Sequence, residues 1–262
     1  MRKPTVVTVT DDLVVSIQFT ARPSRVVSLV PSLTESIAVT LPGILVGATD
    51  YCTHPSTLDS LVRVGGSKYP KVEAILAARP DLVVANVEEN REEDVSRLRA
   101  NGIPVWVTEA AHTVPAGLAS VRRLLTDALG AAEPLWLVDA ERLWASSEPP
   151  CATAIIPVWR KPWVVIGRDT FAGDVLRRLG IANAYADDPD RYPRPTLADL
   201  QATFASGAAD LLVLPDEPYR FTAEDGPEAF PGVNHRLLSG RHLTWCGPSL
   251  VEAKALLSAG LR

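Results

Sequence analysis

The chain has 262 residues, which is enough for one large α/β domain or for two lobes of ordinary size. Hydrophobic residues make up 47% of it and charged residues 22%, the balance of a globular protein. The formal net charge of -5 and the lack of a basic cluster with interleaved aromatics argue against nucleic acid as a partner. No apolar run approaches the ~20 residues that a membrane-spanning helix needs, so membrane insertion is not expected.

The first residues bear on the expected location. Met1, Arg2 and Lys3 are followed by a short polar stretch and by Asp11-Asp12. The apolar core of a signal peptide and a lipid-carrying cysteine are both missing there. The sequence as given therefore predicts a cytoplasmic protein, and the alternative is an extracytoplasmic protein whose leader was removed.

The first 110 residues alternate strand and helix patterns. A β-hairpin is predicted over 5–17, with Asp11-Asp12 at its turn. Short apolar runs predict buried strands over 25–30, 44–48, 81–86 and 104–107, and helical patterns occupy 32–41, 72–78 and 91–100. Ser32 and Glu35 have the spacing of a capping box at the first of these helices. The alternation predicts a parallel sheet with crossover helices.

Two helical patterns, 114–128 and 131–147, lead into a second alternation. It predicts strands over 153–158, 164–167, 210–214 and 243–245, and helices over 171–179 and 250–259. Asp81-Leu-Val-Val and Asp210-Leu-Leu-Val are both followed by acidic loops, which favours two lobes of similar plan over chance similarity of two buried strands. The predicted fold class is α/β, with two Rossmann-like lobes, 1–129 and 150–262, each built on a parallel sheet and joined by a single long helix within 130–149.

Ligands of open parallel sheets bind beyond the carboxyl ends of the strands, so the loops after strands hold the candidate site. In the first half these loops carry Pro31, Ser32, Asp50, Tyr51, Tyr69, Asn86 and Glu88; in the second half they carry Trp159, Arg168, Phe171, Glu217, Tyr219 and Trp245. Aromatic residues make up only 6% of the chain, yet six of them lie at or near such ends. Aromatic walls with a few polar groups suit a large, flat, partly apolar ligand, whereas the alternative is that these rings fill the core.

Common enzyme signatures are missing from the sequence. It contains no GxGxxG fingerprint, no phosphate loop ending in Gly-Lys-Ser/Thr and no GxSxG elbow. Glu88-Glu89 and Asp216-Glu217 would form an acid–base pair if they faced each other. Solvated loop charges or polar ligand contacts are the favoured interpretation of both pairs.

Metal-binding spacing is also missing. The widely separated candidates are His54, His112, His235, His242, Cys52, Cys151 and Cys246, and they form neither an HExxH nor a CxxC motif. No metal site is therefore predicted. A Cys151–Cys246 bridge stays open for an exported chain.

Four segments follow one another in the order of a known family: RVVSLVPSLTE at 25–35, GATDYC at 47–52, VGG at 64–66 and KVEAILAARPDLVVA at 71–85. The string resembles the vitamin B12- and iron-siderophore-type substrate-binding proteins of bacterial ABC importers, also called helical-backbone metal receptors. The resemblance covers the first lobe closely and the second more loosely. It implies a bilobal fold with one rigid interlobe helix, here 131–147, and non-catalytic binding of a large metal chelate between the lobes.

The resemblance also implies roles for individual residues. One wall of the site would be formed by Pro31, Ser32, Asp50, Tyr51 and Asn86, and the other by Phe171, Tyr192, Glu217, Tyr219 and Trp245. Relatives that serve importers present one acidic residue per lobe to arginines of the permease. Glu73 sits at the first such position, and the second falls around Ala198-Asp199, where alanine occupies the expected register. This departure keeps open a cytoplasmic relative that works without a transporter.

Three functions are ranked on these grounds. The first is a monomeric binding protein for cobalamin or another corrinoid, haem or an iron-siderophore, with no required cofactor. The second is an enzyme or cofactor-handling protein on the same scaffold, such as a chelatase-like protein, because fold alone does not decide function. The third is a bare metal-ion carrier, which would require His54, His112 and His242 to converge.

Overall fold

The computed structural model describes residues 6–262, which form two compact units. Unit 1 takes the chain up to Ala110, then Leu118–Val138 and Cys246–Pro248. Unit 2 takes Ala111–Gly117, Asp139–Trp245 and Ser249–Arg262.

Unit 1 opens with an antiparallel hairpin of β1 (Val7–Thr10) and β2 (Ser16–Phe19), which confirms the predicted hairpin, although its first predicted residue, Thr5, lies outside the described residues. Asp11 makes the turn, because its buried carboxylate accepts hydrogen bonds from the amides of Leu13 and Val15.

The main sheet of unit 1 has five parallel strands in the order β5-β4-β3-β6-β7. Its strands and crossover helices are, in chain order, β3 (Val26–Ser28), α1 (Pro31–Thr40), β4 (Leu45–Ala48), β5 (Val62–Arg63), α2 (Val72–Ala77), β6 (Leu82–Asn86), α3 (Glu92–Ala100) and β7 (Val105–Thr108). Successive strand residues enter different core layers: Val26 packs in the layer that includes Ile37, and Val27 in the layer that includes Ile75. Both faces are buried, which explains the continuous apolar runs.

The predicted capping box at α1 is wrong. The helix begins at Pro31, so Val30 is the N-cap residue and no side chain caps it. Proline suits the first helical position because its φ angle is already helical and its missing N–H would have no partner there. Ser32 is consequently inside the first turn.

The two helical patterns after β7 both form helices. α4 (Val114–Arg123) continues as a π-helical turn, Leu124–Ala128, and the apolar side of this pair is buried as the pattern predicts. α5 (Leu135–Trp144) has ten residues and is shorter than the predicted 131–147. The backbone is non-helical from Gly130, with a φ of +66°, to Pro134, and the helix ends before the Ser-Ser-Glu-Pro-Pro segment.

Unit 2 is built on a parallel sheet in the order β11-β8-β12-β13. Its elements are β8 (Ala152–Ile155), β9 (Pro157–Trp159), β10 (Val164–Val165), α6 (Phe171–Arg178), β11 (Ile181–Asn183), α7 (Leu197–Ala205), β12 (Leu211–Pro215), β13 (His235–Leu238), α8 (Gly240–Thr244) and α9 (Leu250–Leu261). β9 and β10 pair antiparallel as a separate hairpin. The predicted α/β class with two Rossmann-like parallel sheets is confirmed.

Several details of unit 2 differ from the prediction. The predicted strand 243–245 is wrong, because Leu243 and Thr244 belong to helix α8. A run of three residues is too short to distinguish one helical turn from a strand. Strands β11 and β13 and helix α7 were not predicted; β13 lies at an edge of the sheet, where polar residues such as His235 and Arg236 are tolerated.

Candidate functional site

Two exposed tyrosines lie at the carboxyl edge of the unit 1 sheet. Tyr51 follows β4 and is 65% exposed, and Tyr69 follows β5 and is 71% exposed. Gly66 lies beside the Tyr51 ring, where a Cβ would make an ordinary van der Waals contact with Cε2 at 3.5 Å. The Arg91 guanidinium lies 4.8 Å from the centre of the Tyr69 ring, a cation–π distance. Exposed apolar rings of this size are surfaces on which a flat ligand can stack.

Asn86 shapes the loop that carries Glu88. Its side-chain oxygen accepts from the Glu88 amide at 2.8 Å, while its amide nitrogen donates to Thr108 Oγ1 at 3.0 Å and to the Glu109 carbonyl at 2.9 Å. Lys68 Nζ donates to the Glu88 carbonyl at 3.1 Å. Asn86 therefore ties the ends of β6 and β7 together and positions Glu88.

The remaining unit 1 candidates lie around the start of α1 and the end of β4. Pro31 and Ser32 form the first turn of α1 and are half-buried, whereas Asp50 is exposed. Ser36 Oγ donates to the Ser32 carbonyl at 2.8 Å. Cys52, next to Tyr51, is a fully buried thiol, and burial raises its pKa.

Trp159 and Tyr219 form an aromatic pair at the carboxyl edge of unit 2. Their ring centres are 5.6 Å apart and the rings are nearly perpendicular. Trp159 is 46% exposed, whereas Trp163, Phe221 and Phe230 pack as a buried aromatic cluster in the unit 2 core, with Tyr219 against Phe221. The cluster packs against Tyr219 through Phe221, while Trp159 stays partly exposed. The Trp159 indole is therefore available to a ligand.

Arg160 holds the loop that follows Tyr219. Its side chain is only 15% exposed. The guanidinium pairs with both Asp225 and Glu228 and lies 5.3 Å from the centre of the Trp163 ring. The Tyr219 hydroxyl lies 2.6 Å from Asp225 Oδ2. This hydrogen bond lowers the pKa of Asp225, with further help from Arg160, and raises the pKa of Tyr219.

Glu217 carries a carboxyl group with an altered acidity. Burial raises its pKa, and the neighbouring Asp216 adds to the effect, while a hydrogen bond with Trp245 opposes it. Within residues 6–262, its Oε1 atom is buried and has no hydrogen-bond partner. Gly240 packs against it so tightly that any Cβ at that position would overlap the Glu217 side chain, and the Gly240 amide donates to Asp216 Oδ1 at 2.6 Å.

The other unit 2 candidates have different environments. Phe171 is 8% exposed and opens α6, whose cap is Thr170, so its ring belongs largely to the core. Arg168 is exposed and pairs with Asp169 at 3.5 Å, and Tyr192 is 41% exposed. The segments that carry Arg168 and Tyr192 are held together, because the Gly167 amide donates to the Arg191 carbonyl at 2.8 Å.

Both candidate docking carboxylates have partners within the chain. Glu73 is exposed on α2 and pairs with Arg97 of α3. Asp199 completes a capping box with Thr196 at the start of α7: its Oδ2 accepts from the Thr196 amide at 3.0 Å, and Thr196 Oγ1 accepts from the Asp199 amide at 3.2 Å. The capping box also lowers the pKa of Asp199.

Potential metal ligands do not converge in the part of the chain that the structure describes, where no group of three or more His, Cys, Asp or Glu residues could hold an ion. His242 instead contacts Ser239 at 2.8 Å and Glu252 at 3.0 Å. The three cysteines are free thiols. No helix among residues 6–262 has the length and apolar character needed to cross a membrane.

Sequence reasoning missed Arg160, Asp225 and Glu228. Arg160 stands beside the predicted Trp159, but its partners lie more than 60 residues further along the chain. The Thr196-x-x-Asp199 spacing, by contrast, was a readable signal for the unpredicted helix α7.

No family model matches the chain. The vitamin B12-binding proteins of Yersinia pestis (strain Pestoides F) and Yersinia pseudotuberculosis serotype O:1b (strain IP 31758) are each 36% identical over 89 residues. The match spans 34% of this chain and 32% of those proteins, about a third of each.

Solved structures resemble the chain over most of its length. The periplasmic vitamin B12-binding protein BtuF of Vibrio cholerae aligns with a TM-score of 0.71 and 20% identity over 91% of this chain and 96% of its own. The periplasmic heme-binding protein BhuT, solved with two hemes, aligns with a TM-score of 0.72 and 24% identity over 92% and 98%. RhuT of Roseiflexus sp. RS-1, also a periplasmic heme-binding protein, aligns with a TM-score of 0.71 and 20% identity over 91% of this chain and 99% of its own. The chain has the fold of these binding proteins, which confirms at the level of the fold the resemblance noted in the sequence.

Proposed function

We propose that this chain is a non-catalytic binding protein for a large, planar metal chelate of the corrinoid or haem class. The observation that carries the proposal is the Trp159–Tyr219 pair, in which Trp159 ends the hairpin strand β9 and Tyr219 lies in the loop after β12 of the parallel sheet, on a fold shared with proteins named for binding vitamin B12 or heme. Tyr51 and Tyr69 give unit 1 a comparable edge with exposed rings. A flat macrocycle offers these rings a stacking surface, which a small ion does not.

Absorbance titration tests the proposal directly. We expect the visible bands of dicyanocobinamide, cyanocobalamin or haem to shift on binding, with saturation at one equivalent. We also expect the same ligand to raise the melting temperature, because a ligand that binds only the folded state stabilises it. No spectral change and no thermal shift with any of the three chelates would reject the function.

An enzymatic role on this scaffold is the second candidate, and Glu217 is the observation that favours it. A carboxyl group whose pKa is raised by burial suits a general acid. In that case Glu217→Gln would abolish conversion of a bound metal–tetrapyrrole while leaving its binding intact. A bound chelate that is recovered chemically unchanged by the wild-type chain after prolonged incubation supports the binding function instead.

We propose an extracytoplasmic location and an importer permease as partner. The structural neighbours are named periplasmic, which supports the location that was the alternative in the sequence analysis.

Glu73 is the proposed docking carboxylate, because it is exposed and an arginine of a partner can replace Arg97 in its ion pair. Asp199 is less suited, since its carboxylate caps α7. Cell fractionation tests the location, and corrinoid uptake by cells carrying Glu73→Ala tests the docking; uptake at the wild-type rate rejects it.

A further inference from the structure

We propose that Tyr219 accepts a hydrogen bond from the bound chelate, so that the ligand presents an N–H donor such as a carboxamide at this point of its periphery. The inference rests on the proposed function and narrows its ligand class. It selects chelates rimmed by amides over chelates rimmed by carboxylates.

The hydrogen of the Tyr219 hydroxyl is already used. A phenol has one hydrogen to donate, and an ionised carboxylate can only accept. With Tyr219 Oη 2.6 Å from Asp225 Oδ2, the hydroxyl must donate to Asp225. What remains on Oη is acceptor capacity, so a ligand group that contacts it favourably has to be a donor.

Arg160 keeps this arrangement in place. Its guanidinium is largely buried and pairs with Asp225 and Glu228 at once, so Asp225 is held ionised and cannot easily turn away from Tyr219. The nearly perpendicular contact with Trp159 also restrains the tyrosine ring. The phenol therefore cannot reorient at low cost to donate to an incoming carboxylate.

Two other ways of using Tyr219 are disfavoured by the same contacts. A ligand carboxylate next to Oη would face a lone pair of the phenol oxygen and would also lie near the negative charge of Asp225. Both interactions are repulsive. Ligation of a metal by a tyrosinate would require loss of the phenol proton, and Asp225 opposes that loss by accepting the hydrogen bond and by its charge. An amide N–H meets neither obstacle.

Two corrins that share a ring and differ in periphery test the inference. Dicyanocobinamide carries amide side chains, and dicyanocobyrinic acid carries carboxylates. We expect wild-type protein to bind the amide form at least about tenfold more tightly at 0.15 M salt, a ratio that combines the hydrogen bond with charge repulsion. Tyr219→Phe keeps the net charge and the ring but removes the acceptor, so we expect the amide-to-acid ratio to fall about fivefold.

Two further variants sharpen the test. Asp225→Ala releases the phenol hydrogen, so we expect tighter binding of the acid form than in wild type. Glu224→Gln removes one exposed charge from the same loop without touching Tyr219, and we expect it to change the ratio much less than Tyr219→Phe does. Circular dichroism and melting temperature establish that each variant is folded, and Tyr219→Phe alone decides the question if Asp225→Ala does not fold.

The outcomes separate the inference from the proposed function. Equal or tighter binding of the acid form by wild type, binding of haem but of neither corrin, or the same ratio in Tyr219→Phe would each overturn the inference and leave chelate binding standing. Failure of both corrins and of haem to bind would overturn the proposed function, and the inference with it. A ratio that falls in Tyr219→Phe and changes much less in Glu224→Gln supports both.

Discussion

The carboxylate of Asp210 accepts a hydrogen bond from the Thr153 amide at 3.0 Å, and the Asp210 amide donates to the Thr153 carbonyl at 2.9 Å. Unit 1 contains the same two-bond ring, in which Asp81 and Arg25 make both contacts at 2.9 Å. Each aspartate stands immediately before a central strand, β12 or β6, and joins it to the neighbouring strand, β8 or β3. The sequence echo therefore corresponds to a shared structural device, which supports a common plan for the two units.

Replacing either aspartate by alanine should destabilise the unit that contains it. Asp210→Ala and Asp81→Ala each leave a strand-end amide without its acceptor, and we expect a cost of about 1–2 kcal/mol in the free energy of unfolding. Urea unfolding followed by far-UV circular dichroism measures it, with Asp59→Ala, an exposed aspartate, as the matched control. Equal stability of Asp210→Ala and Asp59→Ala would contradict a structural role for the pair of hydrogen bonds between Asp210 and Thr153.

The fold of unit 1 could be predicted well because its strands are buried on both faces. Val26 and Val27 enter opposite core layers, so the strand appears in the sequence as an unbroken apolar run between turn residues. Unit 2 gives weaker signals. β13 contains His235 and Arg236 at a sheet edge, and β11 has only three residues, so neither pattern stands out from a loop.

The candidate site was predictable only in part, for a related reason. Aromatic residues such as Trp159 and Tyr219 could be assigned to strand ends from their positions alone. Their mutual contact and the Arg160–Asp225 pair depend on loops that meet only in the folded chain. Local sequence carries no information about which distant carboxylate an arginine will choose.

Trp159 should contribute more to chelate binding than any polar residue of its edge. Its indole is half-exposed and braced by Tyr219, so Trp159→Ala removes a rigid stacking surface, and we expect the dissociation constant for dicyanocobinamide to rise about tenfold. Trp159→Phe should lose less, because part of the surface remains. Leu135→Ala, at an 83% exposed apolar residue on α5, is the control and should bind as wild type does. If Trp159→Ala bound the chelate with wild-type affinity, the Trp159–Tyr219 pair would not be part of the binding site. Tyr51→Ala and Tyr69→Ala test separately whether the exposed rings of unit 1 contribute to binding.

The capping box of α7 should matter for stability and not for binding. Thr196→Ala removes the side chain that accepts from the Asp199 amide, and we expect a loss of about 1 kcal/mol in the free energy of unfolding. Asp199→Asn should also destabilise the chain near neutral pH, and its effect should vanish in acid, because a carboxylate whose pKa is lowered on folding stabilises only while it is ionised. Thermal melts at pH 7 and pH 3 measure both. Unchanged melting temperatures of both variants at pH 7 would contradict the stabilising role of the capping box. The Asp199 carboxylate would then be a candidate for docking.

Glu217 should make stability fall as the pH rises. Its pKa is raised by folding above the ordinary value of 4.5, so the folded state holds a proton that the unfolded state has already released. Below the unfolded pKa both states are protonated and the group has no differential effect. As the pH climbs through the interval between the two pKa values, the unfolded state is stabilised by releasing a proton that the folded state still holds, so the free energy of unfolding falls. Glu217→Gln cannot ionise at this position. The melting temperature of the variant minus that of wild type should therefore increase from pH 4 upward, and this difference should become constant once Glu217 is ionised in the folded wild-type protein too.

The difference between the two melting curves is the quantity to follow, because the titration of every other carboxyl cancels in it. Glu224→Gln, at an exposed glutamate of the same β12–β13 connection, is the matched control. Trp245→Phe provides an independent check. The Trp245 hydrogen bond lowers the pKa of Glu217, so its loss should raise that pKa further and shift the interval to higher pH. A constant offset between Glu217→Gln and wild type from pH 4 to pH 8 would mean that Glu217 titrates normally and that its burial does not disfavour the charged form.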